Sequence, residues 1–258
     1  GWAHGFRTSG KRLVYCSSPA RWLYEQERYL GDSSPRVMSW AIRVLGPWLR
    51  RWDQRAAPSA DRYLAISSVT QDRIRHTYGL DSTIVPAPHS VGPGSAEPVI
   101  SSRIPAPGYF LVVSRLLPYK NVREIVLAFA ERHHYRLVVV GAGPQKALLQ
   151  SEAGANVAFL ENLSDNEMAE IYRGCVALVA ASHEDFGLTP LEAAAHGKPS
   201  VVLRWGGFLD TVVEGATGVF FDSPKPVEIA AALDEVMAGS WSADALRSRA
   251  EVFSEPRF

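Results

Sequence analysis

The chain has 258 residues, 47% of them apolar and 21% charged, with 27 basic side chains matched by 27 acidic ones. That balance supports a sizeable core in two ordinary domains or one large one, and it excludes a disordered chain. A formal charge of zero argues against nucleic acid or membrane as a partner of the chain as a whole, while leaving room for a local basic patch.

Cys16 and Cys175 lie far apart and form no CxxC pair, which speaks against a disulfide framework or zinc site and fits a reducing compartment. No apolar run reaches the ~18 residues of a membrane span. The opening GWAHGFRTSGKR has neither an apolar signal core nor an initiator methionine. With the equally abrupt ending EVFSEPRF, it predicts a fragment or processed chain.

In chain order, KRLVYCS predicts a strand, and SPARWLYEQERYL a helix with Ser18 at its N-cap and Pro19 at its first position. PRVMSWAIRVLGPWLRRWDQRAAPSA is a second helical stretch that Gly46-Pro47 should kink or split. RYLAISS is a strand, VTQDRIRHTYG a helix stopping at Gly79, and STIVPA a strand. Prolines, glycines and serines then crowd residues 86–107, which cannot sustain a helix or central strand. Residues 96–107 are assigned as a linker, 1–95 as one domain and 108–258 as another.

Beyond the linker the beat is regular. The strands are YFLVVSR, YRLVVVGAG, NVAFLEN, VALVAAS, PSVVLRW and GVFFD. They alternate with the helices NVREIVLAFAERH, PQKALLQSEAG, SDNEMAEIYRGC, TPLEAAAHG, FLDTVVEGA and PVEIAAALDEVMAG. Short β-branched runs alternating with helices mean βαβ units and a parallel sheet covered on both faces. Ligands of such sheets sit at the carboxyl ends of the strands, so the loops there should carry function.

The first of these loops, SRLLPYKN, holds Arg115 and Lys120, two cations that suit a diphosphate or are simply solvated charges. VVGAGP offers Gly141 and Gly143. Lys146 stands where a G-x-G-x-x-G motif needs its last glycine, so a dinucleotide reading is weak, and no G-x-x-x-x-G-K-[ST] loop exists. In SHEDFGLTPLEAAAHGKP, Thr189, Pro190 and Glu192 match a capping box, which alone accounts for Glu192. It does not account for Glu184, or for Gly187 feeding a helix start where free N–H groups attract an anion. A carboxylate accepting sugar hydroxyls beside a phosphate site is the second reading of this pair. Gly206-Gly207 supplies one more glycine-to-helix junction.

Taken in order, VVSRLLPYKNV, VVGAGP, FLENLSDNEMAEIYRGC, SHEDFGLTPLEAAAHGKPSVV and GGFLDTVVEGATGVFF resemble the donor half of retaining glycosyltransferases of family 4, which have the two-domain GT-B fold. Glu184 and Glu192 fit that family's E-x7-E motif. The resemblance implies an α/β chain with two Rossmann-like parallel-sheet domains, the N-terminal one truncated. It implies transfer of a hexose from a nucleoside-diphosphate sugar to an acceptor hydroxyl with retention. Arg115 and Lys120 would bind and stabilise the leaving diphosphate, and Glu184 would hold donor-sugar hydroxyls. Glu192 would take the ribose hydroxyls. Backbone N–H groups near Phe186, Gly187, Leu188 and Thr189 would meet the phosphates, with Gly143 close by. Leu160, Asn162 and Leu163 would flank the base. No metal is expected, GDP-mannose is the favoured donor, and the acceptor is a glycan or lipid-linked glycan.

LVYCSSPARWLYEQERYL is similar to a segment of bacterial polysaccharide mannosyltransferase-like members, which often carry histidine where this chain has Ser17. His4 is a candidate substitute or a stray surface histidine. Trp40, Trp48 and Trp52 recur at multiples of four among Arg43, Arg50, Arg51 and Arg55. Such a face either packs within its domain or lies on an anionic membrane. The expected location is cytoplasmic, with peripheral contact at the inner membrane face. The alternatives are a GT-B epimerase or phosphorylase, or a sugar-nucleotide-binding protein without catalysis.

Overall fold

The computed structural model describes residues 3–6, 8–25, 36–89 and 103–258. The chain divides into two compact units, one ending at Pro86 and the other starting at Ala87. The assigned boundary at 95 and most of the 96–107 linker fall outside the described residues, as do residues 26–30 of the helix read from SPARWLYEQERYL.

The first unit carries three parallel strands in the order β1 (Leu13–Cys16), β2 (Arg62–Ala65), β3 (Thr83–Ile84). Its helices are α1 (Arg21–Tyr24), α2 (Arg36–Ala56) and α3 (Ser68–Tyr78). In α3, the Ser67 side chain accepts from the Thr70 amide and Gly79 closes the helix in the left-handed conformation. One expectation fails here and another narrows. Ser18 is not an N-cap, because α1 starts at Arg21 after Ala20 and the Ser18 hydroxyl accepts from Arg73 instead (3.2 Å). Gly46-Pro47 does not split α2, which runs through Pro47 as one helix.

The second unit is a six-stranded, wholly parallel sheet in the order β6-β5-β4-β7-β8-β9. Its strands are β4 (Tyr109–Val113), β5 (Leu137–Val140), β6 (Val157–Leu160), β7 (Cys175–Ala180), β8 (Ser200–Leu203) and β9 (Gly218–Phe221). Between them lie α4 (Val122–Ala130), α5 (Lys146–Glu152), α6 (Asp165–Gly174), α7 (Leu188–Ala195) and α8 (Phe208–Thr211). Two further helices, α9 (Pro226–Ala238) and α10 (Ala243–Glu251), complete the unit. The period-2 alternation of each strand feeds two cores. Phe110, Val112, Leu137 and Val139 join α4 and α9 residues such as Ile125, Phe129, Ile229 and Leu233. Tyr109, Leu111, Val138 and Val140 pack with Ile171 and Tyr172 of α6 on the other face. Each fully buried Val, Leu or Phe contributes ~1.5–3 kcal/mol, so both faces are committed to the core. Only the strand ends remain for ligands.

Strand order reverses between β4 and β7. From β4 the chain builds outward to β5 and β6, then returns to β7 and builds the other way. A crevice opens at the carboxyl ends flanking such a reversal.

Candidate functional site

Two loops flank that crevice. One follows β4 and contains a 3-10 turn at Pro118–Lys120; the other follows β7 and leads into α7. Asn121 adopts φ 52° and donates from its side-chain amide to the Ala181 carbonyl at 2.8 Å, which ties the loops together. Lys120 Nζ then reaches Glu184 Oε2 at 2.6 Å, and the Ser182 hydroxyl donates to the same oxygen at 2.9 Å. Two of the residues expected to handle the donor therefore form one ion pair across the reversal. The lysine is the more sheltered partner, with 12% of its side chain exposed against 29% for the glutamate. The pair sets an ammonium beside a carboxylate at the carboxyl end of the sheet, a donor group next to an acceptor group.

Arg115 belongs to the same loop but not to this pair. Its side chain is exposed and donates to the Tyr119 hydroxyl at 3.0 Å.

The Gly141 and Gly143 backbones accommodate the neighbouring loop. A side-chain carbon on Gly141 would overlap the Ser114 carbonyl, and one on Gly143 the Leu116 carbonyl. The loops are stitched by Ser114 N–H to Val140 O (3.0 Å), Leu116 N–H to Ala142 O (2.9 Å) and Gln145 N–H to Leu116 O (3.2 Å).

The capping-box reading of Thr189 and Glu192 is overturned. Helix α7 starts at Leu188, two residues earlier than that reading requires, with Gly187 rather than Thr189 at the N-cap and no side-chain cap. Gly187 holds φ 88°, which disfavours any side chain, and a Cβ there would come within 2.6 Å of the Phe208 ring. Glu192 is consequently too deep in the helix to reach back to its start. Its carboxylate accepts a hydrogen bond from the Tyr172 hydroxyl of α6. Burial pushes the Glu192 carboxyl above its ordinary value, against the Tyr172 hydrogen bond and the nearby His89, which favour the charged form. Burial, together with the Glu192 charge, raises the Tyr172 phenol far beyond neutrality, so it stays a donor. His196 stacks on Tyr172 at 5.2 Å and donates from Nδ1 to the Glu192 carbonyl at 2.9 Å.

With Pro190 third in the helix, the Leu188 and Thr189 N–H groups are first-turn donors that no carbonyl of α7 can meet. Leu188 is exposed and Thr189 partly so, leaving this turn open to an anion. Phe186 is only 4% exposed and packs edge-on against Phe253, so its ring serves the core. The second glycine junction locks against the first: Gly207 N–H donates to the Glu184 carbonyl at 2.9 Å, and a side chain at Gly207 would overlap the Phe186 backbone.

Leu160, Asn162 and Leu163 lie on the same edge of the sheet, at the end of β6. That is three strands from β7, about 14 Å at ~4.8 Å per strand. Asn162 is left-handed (φ 54°), and Leu160 and Leu163 pack against the core on the Tyr109 face. Sequence reasoning missed Tyr172, Ser182, Asn121 and His196. Only Tyr172 gave a signal, as a tyrosine on the apolar stripe of a helix, where a buried hydroxyl needs a partner.

In the first unit, His4 is not a surface histidine. It is 2% exposed, and its Nε2 meets Asp53 Oδ1 at 2.8 Å. Tyr24 and Tyr78 donate to the other oxygen of Asp53 at 2.8 Å each. Burial pushes the Asp53 carboxyl up, and these three bonds outweigh it and hold it below its ordinary value. The Ser59 hydroxyl, just before β2, donates to the His4 carbonyl, whereas Ser17 follows the carboxyl end of β1. His4 therefore belongs to the amino-terminal edge of the sheet and cannot replace a histidine at Ser17.

Among the described residues no group of three or more His, Cys, Asp or Glu could hold a metal ion, and no helix is long and apolar enough to cross a membrane.

The chain is similar to sucrose-phosphate synthase of Thermosynechococcus elongatus, with a TM-score of 0.75 and 20% identity over 96% of this chain and 64% of that one. This likeness carries the GT-B type fold. D-rhamnosyltransferase WbpZ of Pseudomonas aeruginosa is 30% identical over 218 residues, 77% of this chain and 55% of that protein. D-inositol 3-phosphate glycosyltransferase of Acidothermus cellulolyticus is 32% identical over 157 residues, 53% of this chain and 35% of that protein. The chain thus spans about half or less of the length of these two relatives. Residues 99–253, more than half of the chain, match the model of the family described as Glycosyl transferases group 1, and the chain belongs to that family.

Proposed function

We propose that this chain is the donor-binding part, with a portion of the acceptor side, of an enzyme that transfers a hexose from a nucleoside-diphosphate sugar to an acceptor hydroxyl with retention. The observation that carries the reading is the Lys120–Glu184 pair at the strand reversal, with Glu184 four residues before the open first turn of α7. Lys120, the α7 amides and the exposed Arg115 would neutralise the diphosphate as it leaves. Preorganised charge of this kind lowers the barrier where negative charge develops. Glu184 would orient the sugar hydroxyls, and Glu192, fixed by Tyr172, the ribose hydroxyls. Binding without a metal belongs to the same reading, because the lysine and the helix start already supply positive charge. The name of the rhamnosyltransferase relative supports a hexose-type donor, and GDP-mannose is the first to test. A glycan or lipid-linked acceptor, polysaccharide synthesis and a cytoplasmic site of action complete the proposal.

Calorimetry with GDP and UDP, with and without a chelator, tests it. Either nucleotide should bind equally well in both conditions, and at 100 times its dissociation constant should stabilise the fold by ~2.7 kcal/mol. Loss of binding on chelation would refute the metal-free mode. Failure of every nucleoside diphosphate and its sugars to bind would refute the function.

A further inference from the structure

Helix α2 presents an unusual outward face. At about 100° per residue, Ile42, Gly46, Leu49 and Asp53 fall on one side. Ile42, Gly46 and Asp53 are buried, and Asp53 is held by His4, Tyr24 and Tyr78, so this side fastens the helix to its unit. The opposite side carries Trp40, 66% exposed, Val44, 55%, and Trp48, 67%, with Leu45 at 53% and Trp52 at 37% on its margin, the Trp52 ring lying 6.4 Å from that of His4. The helix packs through its other side, and Trp40 and Trp48 stand clear of that packing. Arg51 and Arg55 project between them, and Arg43 flanks the row; all three are exposed. The only acid within α2, Asp53, is 0% exposed, so the charge shown outward is cationic.

We propose that this face is a docking surface for an anionic phospholipid bilayer. Three physical features select that occupant. Tryptophan is the side chain that settles at the headgroup level, with an apolar ring below and an N–H donor above. Arginine pairs with lipid phosphate by forked hydrogen bonds and is attracted by the surface potential of anionic lipid. A cationic face also repels a second copy of itself, which disfavours self-association through it. The carboxyl-terminal end of the row opens on a cavity of about 500 Å³ lined by Trp52, Arg55, Arg12, Thr8 and Ser59, a cationic recess of headgroup size continuous with the row. The surface lies in the first unit and does not depend on nucleotide binding by the second, so failure of either reading leaves the other standing.

The test is co-sedimentation of the 258-residue chain with phosphatidylcholine vesicles, with and without phosphatidylglycerol as a third of the lipid. The chain should partition onto the anionic vesicles, with a blue shift in tryptophan emission, and should release as salt is raised. Arg51→Gln with Arg55→Gln should weaken partition about twenty-five-fold, at about a factor of five per arginine. Trp40→Ser with Trp48→Ser should weaken it at least as much. Both pairs change exposed side chains, and unchanged melting confirms that the fold persists. Equal partition onto neutral and anionic vesicles, or no partition, would overturn the proposal. So would partition indifferent to both pairs, or a dimer that the same substitutions dissociate while vesicles remain unbound.

Discussion

Tyr172→Phe removes one hydroxyl and leaves the ring. In the folded chain that hydroxyl donates to Glu192 from a site 1% exposed, so water cannot take its place. A hydrogen bond to a charged acceptor contributes about 1.5–3 kcal/mol. For a chain of this size, each kcal/mol shifts melting by ~2–4 °C, so the variant should melt ~3–12 °C lower at pH 7. The same change in a Glu192→Gln background breaks a neutral bond of about 0.5–1.5 kcal/mol, so the double-mutant cycle should show ~1 kcal/mol of coupling. The pH dependence has a definite sign. Glu192 is raised above 4.5 by burial, so its ionised form weighs against folding, and its contribution is most favourable below the ordinary glutamate range. Glu192→Gln should therefore compare best with wild type at neutral pH and lose that advantage as pH falls through the raised value. The Tyr172→Phe penalty should shrink over the same range. Thermal melts of the four proteins across pH 4–8 test this. An equal Tyr172→Phe penalty in both backgrounds, unchanged by acid, would show that the hydroxyl does not serve the Glu192 carboxylate.

Gly207→Ala should destabilise by about 3 kcal/mol or more, because its methyl group meets the Phe186 backbone and cannot be absorbed by rotating a side chain; urea titration measures it, and near-wild-type stability would mean the two glycine junctions do not interlock. Lys120→Met should weaken nucleoside-diphosphate binding about tenfold by calorimetry, the scale of one charged hydrogen bond, while Glu184→Gln should leave diphosphate affinity nearly unchanged and weaken binding of the intact nucleotide sugar. Asp53 is held below 3.8, so its contribution is present above that value and lost as pH drops through the depressed one; Asp53→Asn should erase this acid-dependent loss in melts of the first unit.

The alternating strands and helices of the second unit were legible because each strand is a short β-branched run and each junction carries glycine, proline or a polar cap. Helix α10 was not read. It buries only Leu246 and Ala250, too narrow a stripe to register as periodicity, although Ser242 does cap it. The capping-box spacing places the start of α7 two residues late because a threonine and glutamate at that spacing are visible in sequence, whereas the φ of Gly187 is not. Partnerships over distance were closed to sequence reasoning altogether. His4 and Asp53 are 49 residues apart, Tyr172 and Glu192 are 20, and neither pair shares an element. Lys120 and Glu184 could be placed on neighbouring loops once the strand order was assumed, but the ion pair itself depends on Asn121 drawing those loops together.

The loop bearing Arg115 and Lys120 is braced on one flank by the 141–145 turn and on the other by Asn121. Its conformational entropy is therefore spent in folding, and an arriving diphosphate need not order it again. The bracing also constrains inheritance. A loop grafted at 114–121 from a relative would have to thread past the Gly141 and Gly143 backbones, so the two loops can be exchanged only as a pair. The Leu160–Leu163 edge carries no such obligation to that loop. In the proposed reading, preference for the base can drift at one end of the sheet while the phosphate-handling end stays fixed, and a library confined to 160–163 is the economical way to change the donor.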